Sequence, residues 1–147
     1  MSSIEERLQA VEDREEIREL TTRYCHAIAA ADVAGIVGLF CEDGTFCIDE
    51  PITGTAALTE FYTATLAGTP PIPFIQNHVI DELQESEARA RCSAEIRMVQ
   101  NGKSVTAAGW YTDSFRKVDG RWKFQERKFH VFHMVPLSKG WAAASTE

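Results

Sequence analysis

The sequence predicts a single α+β domain in which three N-terminal helices pack into a strongly curved, mostly antiparallel sheet. Apolar residues recur at helical spacing in the first half of the chain and at strand spacing in the second half. Two short turns, 100–103 and 118–121, separate long β-rich runs, and their Asn-Gly and Asp-Gly pairs are strong hairpin signals. The 147 residues, 44% of them apolar, fit one domain over residues 1–135 with a loose tail over 136–147.

The first helical segment is predicted in two pieces. Ser3 and Glu6 form a capping box for a leading helix over about residues 3–12. The apolar stripe then slips in phase across residues 13–16, where a new cap is expected, and a core helix follows over about residues 14–30. The leading piece cannot bury its stripe alone, so we expect it to lie across the domain or against a partner chain.

Two shorter helices and a short strand follow. Asp32 is the expected N-cap of a helix over residues 33–40. A short strand over residues 45–48 is expected to stop at Pro51. The apolar spacing then predicts a third helix over about residues 56–67.

The rest of the chain is predicted to be a meander of long strands. Residues 68–73 contain three prolines and are expected to form an extended loop. The strand with the clearest alternation places small and apolar residues on one face and charged residues on the other, as in a half-buried antiparallel strand. The expected strands are 74–83, 88–99, 105–118 and 122–133.

The last strand changes its apolar phase part of the way along. Trp122 and Phe124 share one parity, whereas Phe129 and Val131 share the other. An inserted residue re-aims the side chains that follow it. We therefore expect a β-bulge near residues 126–128.

Composition excludes several classes of function. The net charge of −7 argues against nucleic-acid binding and disfavours anionic membranes. No apolar run approaches the roughly 20 residues of a membrane span, and the charged N-terminus does not resemble a secretory signal. The four cysteines form no CxxC pair, which favours reduced thiols in a cytoplasmic protein. We expect no cofactor and no metal, since His130 and His133 are three apart on a strand and point to opposite faces.

Several short motifs, taken in order, resemble the SnoaL-like group of the nuclear transport factor two-like superfamily. They extend over about Glu5 to Val135 and comprise Glu16-Ile17-Arg18-Glu19-Leu20 with Tyr24, Asp32 with Leu39-Phe40 and Asp43-Gly44, Gly54 with Leu58 and Phe61-Tyr62, Asn77-His78-Val79-Ile80-Asp81, Gly109 with Tyr111 and Asp113, and Asp119-Gly120 with Trp122 and Arg127. The resemblance implies a cone-shaped α+β barrel with a pocket, often dimerised through the sheet. Members include dehydratases, dehydrochlorinases, isomerases and binding proteins.

The same resemblance points to an unusual pocket. Dehydratase-like and dehydrochlorinase-like members use a His–Asp pair, with the Asp five residues after the first-helix Tyr and the His four before the strand-opening Asn. In this chain those positions hold Ala29 and Pro73. The resemblance therefore implies that the usual dyad is absent.

Three other residues are candidates for catalysis. Tyr24 is expected either to orient a substrate or to serve as a core aromatic whose hydroxyl finds a partner. His78 is either a displaced base in the pocket or a strand-edge histidine. Asp113 is either an inward acid with a raised pKa or the ion-pair partner of Arg127.

The expected ligand-binding residues are largely aromatic and apolar. They are Phe40, Phe61, Ile96, Met98, Trp110 and His130. This lining favours a lyase or isomerase acting on a small apolar, aromatic or polycyclic substrate. The alternatives are a non-catalytic binding protein or a structural subunit like the small subunit of an aromatic-ring dioxygenase. We expect a homodimer formed through the sheet face.

Overall fold

Three helices and one six-stranded sheet make up residues 2–142, the part of the chain that the computed structural model describes. The helices are α1 (Ile4–Ala29), α2 (Val33–Val37) and α3 (Thr55–Thr65). The strands are β1 (Phe40–Cys47), β2 (Pro51–Thr53), β3 (Ile72–Leu83), β4 (Glu87–Gln100), β5 (Lys103–Val118) and β6 (Arg121–Pro136). Residues 143–147 of the predicted tail lie outside the described part.

The sheet has the order β2-β1-β6-β5-β4-β3. Strand β1 runs parallel to β6, and every other neighbouring pair is antiparallel. The predicted α+β class and the mostly antiparallel sheet are therefore confirmed. Strands β2 and β3 form the two edges of the sheet, so the sheet is not closed into a barrel.

Helix α1 lies in the concave face of the sheet and contacts strands far apart in it. The Thr21 hydroxyl lies 3.4 Å from Nε2 of His78 on the β3 edge. Towards the other edge, the indole N–H of Trp122 on β6 donates to Asp13 across 2.8 Å. Contacts with both strands require the sheet to curve around the helix.

The predicted break in the first helix is wrong, because α1 runs without interruption from Ile4 to Ala29. Its capping box of Ser3 and Glu6 is confirmed. Asp13, where the new cap was expected, is 5% exposed and accepts hydrogen bonds from Lys117 and Trp122. The slip in the apolar stripe therefore marks a buried polar anchor within the helix.

The second helix is shorter than predicted. Asp32 caps it as expected, with its carboxylate accepting from the Gly35 N–H across 2.9 Å. The helix ends at Val37, because the Leu39 carbonyl already accepts a sheet hydrogen bond from the Phe124 N–H. Residues 38 and 39 therefore connect α2 to β1, and Phe40, predicted to be helical, is the first residue of the strand.

Prolines lie in two strands where the sequence predicted a stop and a loop. Pro51 opens the edge strand β2, and Pro73 lies in the edge strand β3 opposite Ile96. An edge strand tolerates proline because one side of its backbone has no neighbour to receive an N–H. The predicted loop thus ends at Pro71, and β3 begins at Ile72.

Both predicted hairpin turns are confirmed. Asn101 and Asp119 have positive φ angles of 51° each, and the glycine that follows each of them is also in the left-handed region. This pattern is that of a type I′ turn, which suits the twist of the flanking strands.

The predicted bulge in β6 lies at Gln125, one residue before the expected range. Ser114 pairs with Glu126 and Phe115 with Phe124, which leaves Gln125 as the additional residue. Because the parity switches there, Arg127 and Phe129 face the core, whereas without the extra residue they would face solvent.

Among the described residues, no helix is both long and apolar enough to cross a membrane.

Candidate functional site

A cavity of about 240 Å³ lies between α1, α3 and the concave face of the sheet. Its lining is mostly aromatic and aliphatic and comprises Tyr24, Ile28, Phe46, Ile48, Phe61, Tyr62, Thr65, Leu66, Pro71, Pro73, Ile96, Met98, Gln100, Tyr111, Phe129 and Met134. Within residues 2–142, this lining contributes no carboxylate, imidazole or charged group. Its polar atoms come from tyrosine and threonine hydroxyls and from one amide.

Two tyrosines from different helices meet in the wall of this cavity. The hydroxyls of Tyr24 on α1 and Tyr62 on α3 are 2.9 Å apart, and either one can be the donor. Burial raises the pKa of both hydroxyls above the ordinary value, so they are neutral at physiological pH. They can therefore donate or accept a hydrogen bond, but they are not bases.

A buried arginine supports the tyrosines from behind. Arg127 on β6 is 0% exposed, and its guanidinium carbon lies 3.7 Å from the ring centroid of Tyr111 and 4.4 Å from that of Tyr24. A third ring, that of Phe124, lies 4.7 Å away. These cation–π contacts fix the orientation of two rings that line the cavity.

Asp113 on β5 is the ionic partner of Arg127. Its Oδ1 lies 3.6 Å from the Arg127 Nε, and both side chains are fully buried. That distance is an ion pair but exceeds a good hydrogen bond. Both Asp113 oxygens, with Nε and Nη1 of Arg127, have no hydrogen-bond partner among residues 2–142.

Burial and charge act in opposite directions on this pair. Burial raises the pKa of the Asp113 carboxyl to about 6, although the nearby Arg127 partly opposes the shift. Burial would lower the pKa of Arg127, but Asp113 and the neighbouring tyrosines outweigh it and raise that pKa, so the guanidinium stays charged. The sequence offered the raised pKa and the pairing with Arg127 as alternatives for Asp113, and in the structure the carboxyl has both properties.

His78 lies outside the cavity lining. The half-buried ring contacts Thr21 through Nε2, and its Nδ1 is buried without a partner in the described part of the chain. Burial, with smaller effects from Arg127 and Arg18, lowers its pKa to about 4. A neutral imidazole held away from the cavity is not placed to remove a proton from a ligand there.

The two positions of the expected dyad differ in their surroundings. Pro73 is buried and lines the cavity, whereas Ala29 is exposed at the end of α1. Neither side chain can transfer a proton.

Three of the predicted ligand-binding residues, Phe61, Ile96 and Met98, line the cavity. Phe40 does not, since it packs behind Tyr24 in the core with ring centroids 6.4 Å apart.

The remaining two predicted ligand-binding residues lie on the outer face of the sheet. Trp110 and His130 are cross-strand partners that stack on each other, with centroids 4.6 Å apart. Their strand neighbours Tyr111 and Phe129 belong to the core, and successive residues of a strand face opposite ways. The prediction that Trp110 and His130 share a pocket with Tyr24 is therefore wrong.

Tyr62 and Tyr111 were missed as site residues, although the sequence contains a signal for each. Tyr62 shares the apolar face of α3 with Leu58. Tyr111 has the same parity as Asp113 and Phe115 on β5. Both signals indicate burial, and only the structure assigns that burial to the cavity wall.

Residues 2–142 contain no group of three His, Cys, Asp or Glu side chains that could hold a metal ion.

The profile of the SnoaL-like domain matches residues 9–128 of the chain. No curated protein matches the sequence.

Solved structures share the fold at low sequence identity. A protein of unknown function from Mycobacterium tuberculosis is 26% identical, with a TM-score of 0.78 over 92% of this chain and 79% of its own. A hexachlorocyclohexane dehydrochlorinase from Novosphingobium barchaimii LL02 is 14% identical, with a TM-score of 0.80 over 89% and 94%. A Novosphingobium aromaticivorans protein named as a scytalone dehydratase is 20% identical, with a TM-score of 0.79 over 86% and 89%.

Proposed function

The chain belongs to the SnoaL-like domain family, and from this premise we propose that it binds a small, largely apolar or aromatic molecule in the cavity between α1, α3 and the sheet. The observation that carries the proposal is the lining itself, which is apolar apart from a few hydroxyls and one amide. Ligand sites are typically apolar clefts with a few polar groups that fix orientation. The cavity of about 240 Å³ suits a ligand of one or two rings.

The polar groups of the wall favour a ligand with at least one hydrogen-bonding atom. The Tyr24–Tyr62 pair has one hydroxyl proton that is not used between the two oxygens. Tyr111 presents a third ring in the same wall. A carbonyl or hydroxyl of the ligand would accept a hydrogen bond here without displacing a charged group.

We favour binding without turnover over the family's dyad chemistry. Proton abstraction requires a base within hydrogen-bond reach of the substrate. The cavity lining has none among the described residues, and the two dyad positions are Ala29 and Pro73. His78 and Asp113 do not belong to the cavity lining.

A lyase or isomerase remains the second candidate, and the tyrosine pair is the observation that favours it. A neutral hydroxyl with a raised pKa can polarise a carbonyl, and Arg127 lies 4.4 Å behind the Tyr24 ring. This mechanism would use Tyr24 as an electrophile and would take its base from solvent.

We also propose that the protein is a homodimer formed through the outer face of the sheet. Trp110, His130 and Phe132 form an aromatic cluster there, with the Trp110 and Phe132 rings 4.7 Å apart. Phe132 is 69% exposed, and exposed aromatic clusters of this kind are typical of interfaces. The resemblance to dimeric family members supports the same choice of face.

Native mass spectrometry of protein purified from its own host tests the binding proposal directly. We expect one small molecule per chain, which is released and identified after denaturation. Incubating that molecule with fresh protein then separates the two candidates, because a binding protein returns it unchanged and a lyase or isomerase converts it. Protein that carries no ligand and fails to bind small aromatic alcohols by calorimetry would contradict both.

A further inference from the structure

We propose that the cavity selects an acidic aromatic ligand, a ring bearing one carboxylate, phenolate or similar anion, and that binding such an anion is coupled to proton uptake by Asp113. This inference rests on the proposed function, because it specifies the charge of the molecule that the cavity takes. It arises from the buried Arg127–Asp113 pair, which lies directly behind the tyrosine wall.

The distances place the charge of Arg127 within reach of a ligand. Its guanidinium carbon is 3.7 Å from the centroid of the Tyr111 ring and 4.4 Å from that of Tyr24, and both rings line the cavity. Van der Waals contact adds about 4 Å, so an atom packed on either ring lies roughly 8 Å from the guanidinium. Water is excluded from that path because both rings and Arg127 are buried, so the interaction is weakly screened.

Asp113 determines how much of that charge the ligand experiences. While Asp113 is ionised, its carboxylate offsets the guanidinium at 3.6 Å. When Asp113 is protonated, the pair carries a net positive charge towards the cavity. An anion in the cavity therefore favours protonated Asp113, and by linkage a proton on Asp113 favours the anion to the same degree.

The geometry of the pair makes this exchange feasible. Neither Asp113 oxygen has a hydrogen-bond partner within residues 2–142, so protonation breaks no hydrogen bond of that carboxylate. Nε and Nη1 of Arg127 are equally without partners in the same region. The guanidinium is held by the ring contacts and by Nη2 donating to the Cys92 sulfur across 3.9 Å, so its position does not depend on a hydrogen bond to Asp113.

Of the titratable groups in and around the Arg127–Asp113 pair, Asp113 has the pKa nearest to neutrality. The other titratable groups of the described chain that interact with Arg127 are Tyr24 and Cys25 from α1, Tyr62 from α3, His78 from β3, Cys92 from β4 and Tyr111 from β5. Burial raises the pKa of Cys25 to about 11 and that of Cys92 to about 12. Burial lowers the pKa of His78 to about 4, and it raises that of Asp113 to about 6 against the opposing effect of Arg127.

Calorimetry with two matched probes tests the proposal. Naphthalene-2-sulfonate stays ionised across the range, and 2-naphthalenemethanol is neutral and of similar size. We expect the sulfonate to bind about tenfold more tightly at pH 5 than at pH 8, the effect of a charge at roughly 8 Å in a poorly screened site. Titrations near pH 6.5 in buffers of different ionisation enthalpy should register uptake of about half a proton, the maximum for a midpoint shift of about one pH unit. The alcohol should bind equally at both pH values.

A pair of variants identifies the carboxyl. Asp113→Asn should bind the sulfonate at pH 8 as tightly as the wild type does at pH 5, with no remaining pH dependence. Asp81→Asn is the matched control, because Asp81 is a partly exposed carboxylate that pairs with Arg91 at 3.0 Å away from the cavity lining. That variant should keep the full pH dependence.

A measurement on the wild type keeps the test independent of whether Asp113→Asn folds. Carbonyl-detected NMR follows the titration of the Asp113 carboxyl directly. Saturating sulfonate should shift its midpoint upward by about one pH unit, the equivalent of a tenfold coupling. An unmoved midpoint would overturn the proposal.

The outcomes also separate this inference from the proposed function. If the alcohol binds and the sulfonate either does not bind or binds independently of pH, the cavity is a neutral-ligand site and the inference is wrong. If the affinity for the neutral alcohol depends on pH as strongly as that for the sulfonate, the pH dependence comes from a change in the protein and not from the charge of the ligand. That result would also overturn the inference. If neither probe binds, the binding function itself fails.

Discussion

The hydroxyl oxygens of Tyr24 and Tyr62 lie 2.9 Å apart and join helix α1 to helix α3 in the wall of the cavity. The two rings meet edge to face, with centroids 6.3 Å apart. Since both residues are 2% exposed, this contact is part of the core and part of the site at once. Removing one of the two hydroxyls therefore tests separately how much the contact contributes to stability and how much it contributes to ligand binding.

Tyr62→Phe removes one hydroxyl and keeps the ring. We expect the free energy of unfolding to fall by about 1 kcal/mol, the usual net value of one hydrogen bond. Affinity for 2-naphthalenemethanol should fall up to about tenfold, because one of the paired hydroxyls of the wall is lost. Urea unfolding and calorimetry measure the two effects, and an unchanged affinity would place the ligand away from this pair.

Filling the cavity should abolish binding. Met98→Trp places an indole in the lining, so we expect affinity for the naphthyl alcohol to fall by at least about a hundredfold. The cost in stability should be about 1–3 kcal/mol, as is typical for overpacking.

Val99→Trp is the matched control for the filled cavity. Val99 is the next residue on β4, is 49% exposed and faces away from the cavity. The control should bind the alcohol as the wild type does. Equal losses in both variants would mean that the cavity is not the binding site.

Asp113 should make stability depend on pH in an unusual direction. Its folded pKa of about 6 lies above the ordinary 3.8, so the folded state binds the proton more tightly than the unfolded state. Its contribution to stability is therefore greatest below about pH 4 and is lost as the pH rises to about 6, on the order of 3 kcal/mol in total.

Comparing the wild type with Asp113→Asn isolates this effect. As the pH rises from 4 to 6, the free energy of unfolding of the wild type should fall relative to that of Asp113→Asn. Above pH 6 the difference between the two proteins should level off. Urea titrations at several pH values measure it. A difference that moves in favour of the wild type would mean that Arg127 outweighs burial and holds the Asp113 pKa below its ordinary value.

Asp13 should be a major anchor of the fold. Its carboxylate accepts from Lys117 Nζ at 2.7 Å and from the Trp122 indole at 2.8 Å, both in a protected site. Asp13→Ala leaves these donors without their acceptor, so we expect a loss of about 3 kcal/mol. The control is Asp43→Ala, which breaks an exposed pair with Arg116 and should cost less than about 1 kcal/mol by urea unfolding.

The proposed dimer should depend on Phe132. Introducing a charge with Phe132→Glu at the centre of the outer aromatic cluster should convert the dimer to a monomer in sedimentation velocity runs. The control is Ala57→Glu, at an exposed position on α3, which should leave the dimer intact. A wild-type protein that sediments as a monomer at tens of micromolar would refute the dimer itself.

Local chemistry made much of the fold predictable. The capping box at Ser3, the N-cap at Asp32 and the two type I′ turns are each set by a few neighbouring residues, and all four are present. The parity change in β6 predicted a bulge within one residue of its position at Gln125. Such features depend on backbone geometry that the local sequence encodes.

Other features of the structure depend on contacts between residues that are far apart in the sequence, and local patterns did not predict them. The apolar slip at Asp13 was interpreted as a helix end because the partner that buries this carboxylate, Trp122, lies 109 residues away. Trp110 and Tyr111 are adjacent aromatics on opposite faces of β5, so composition alone gave no reason to prefer one as the cavity residue. The facing of such residues is fixed by register with β6, which is known only from the folded sheet.

The position of β6 has a consequence for synthesis of the chain. This strand is synthesised after the other five described strands, yet it lies between β1 and β5 inside the sheet. Until it leaves the ribosome, β1 and β2 have no hydrogen-bonded link to the other strands, and α1 has no Trp122 to anchor it. At about 5–20 residues per second, the nascent chain therefore spends several seconds with its apolar helices uncovered. The sheet can be completed only after β6 has been synthesised, so the nascent chain exposes apolar surface that chaperones recognise until then.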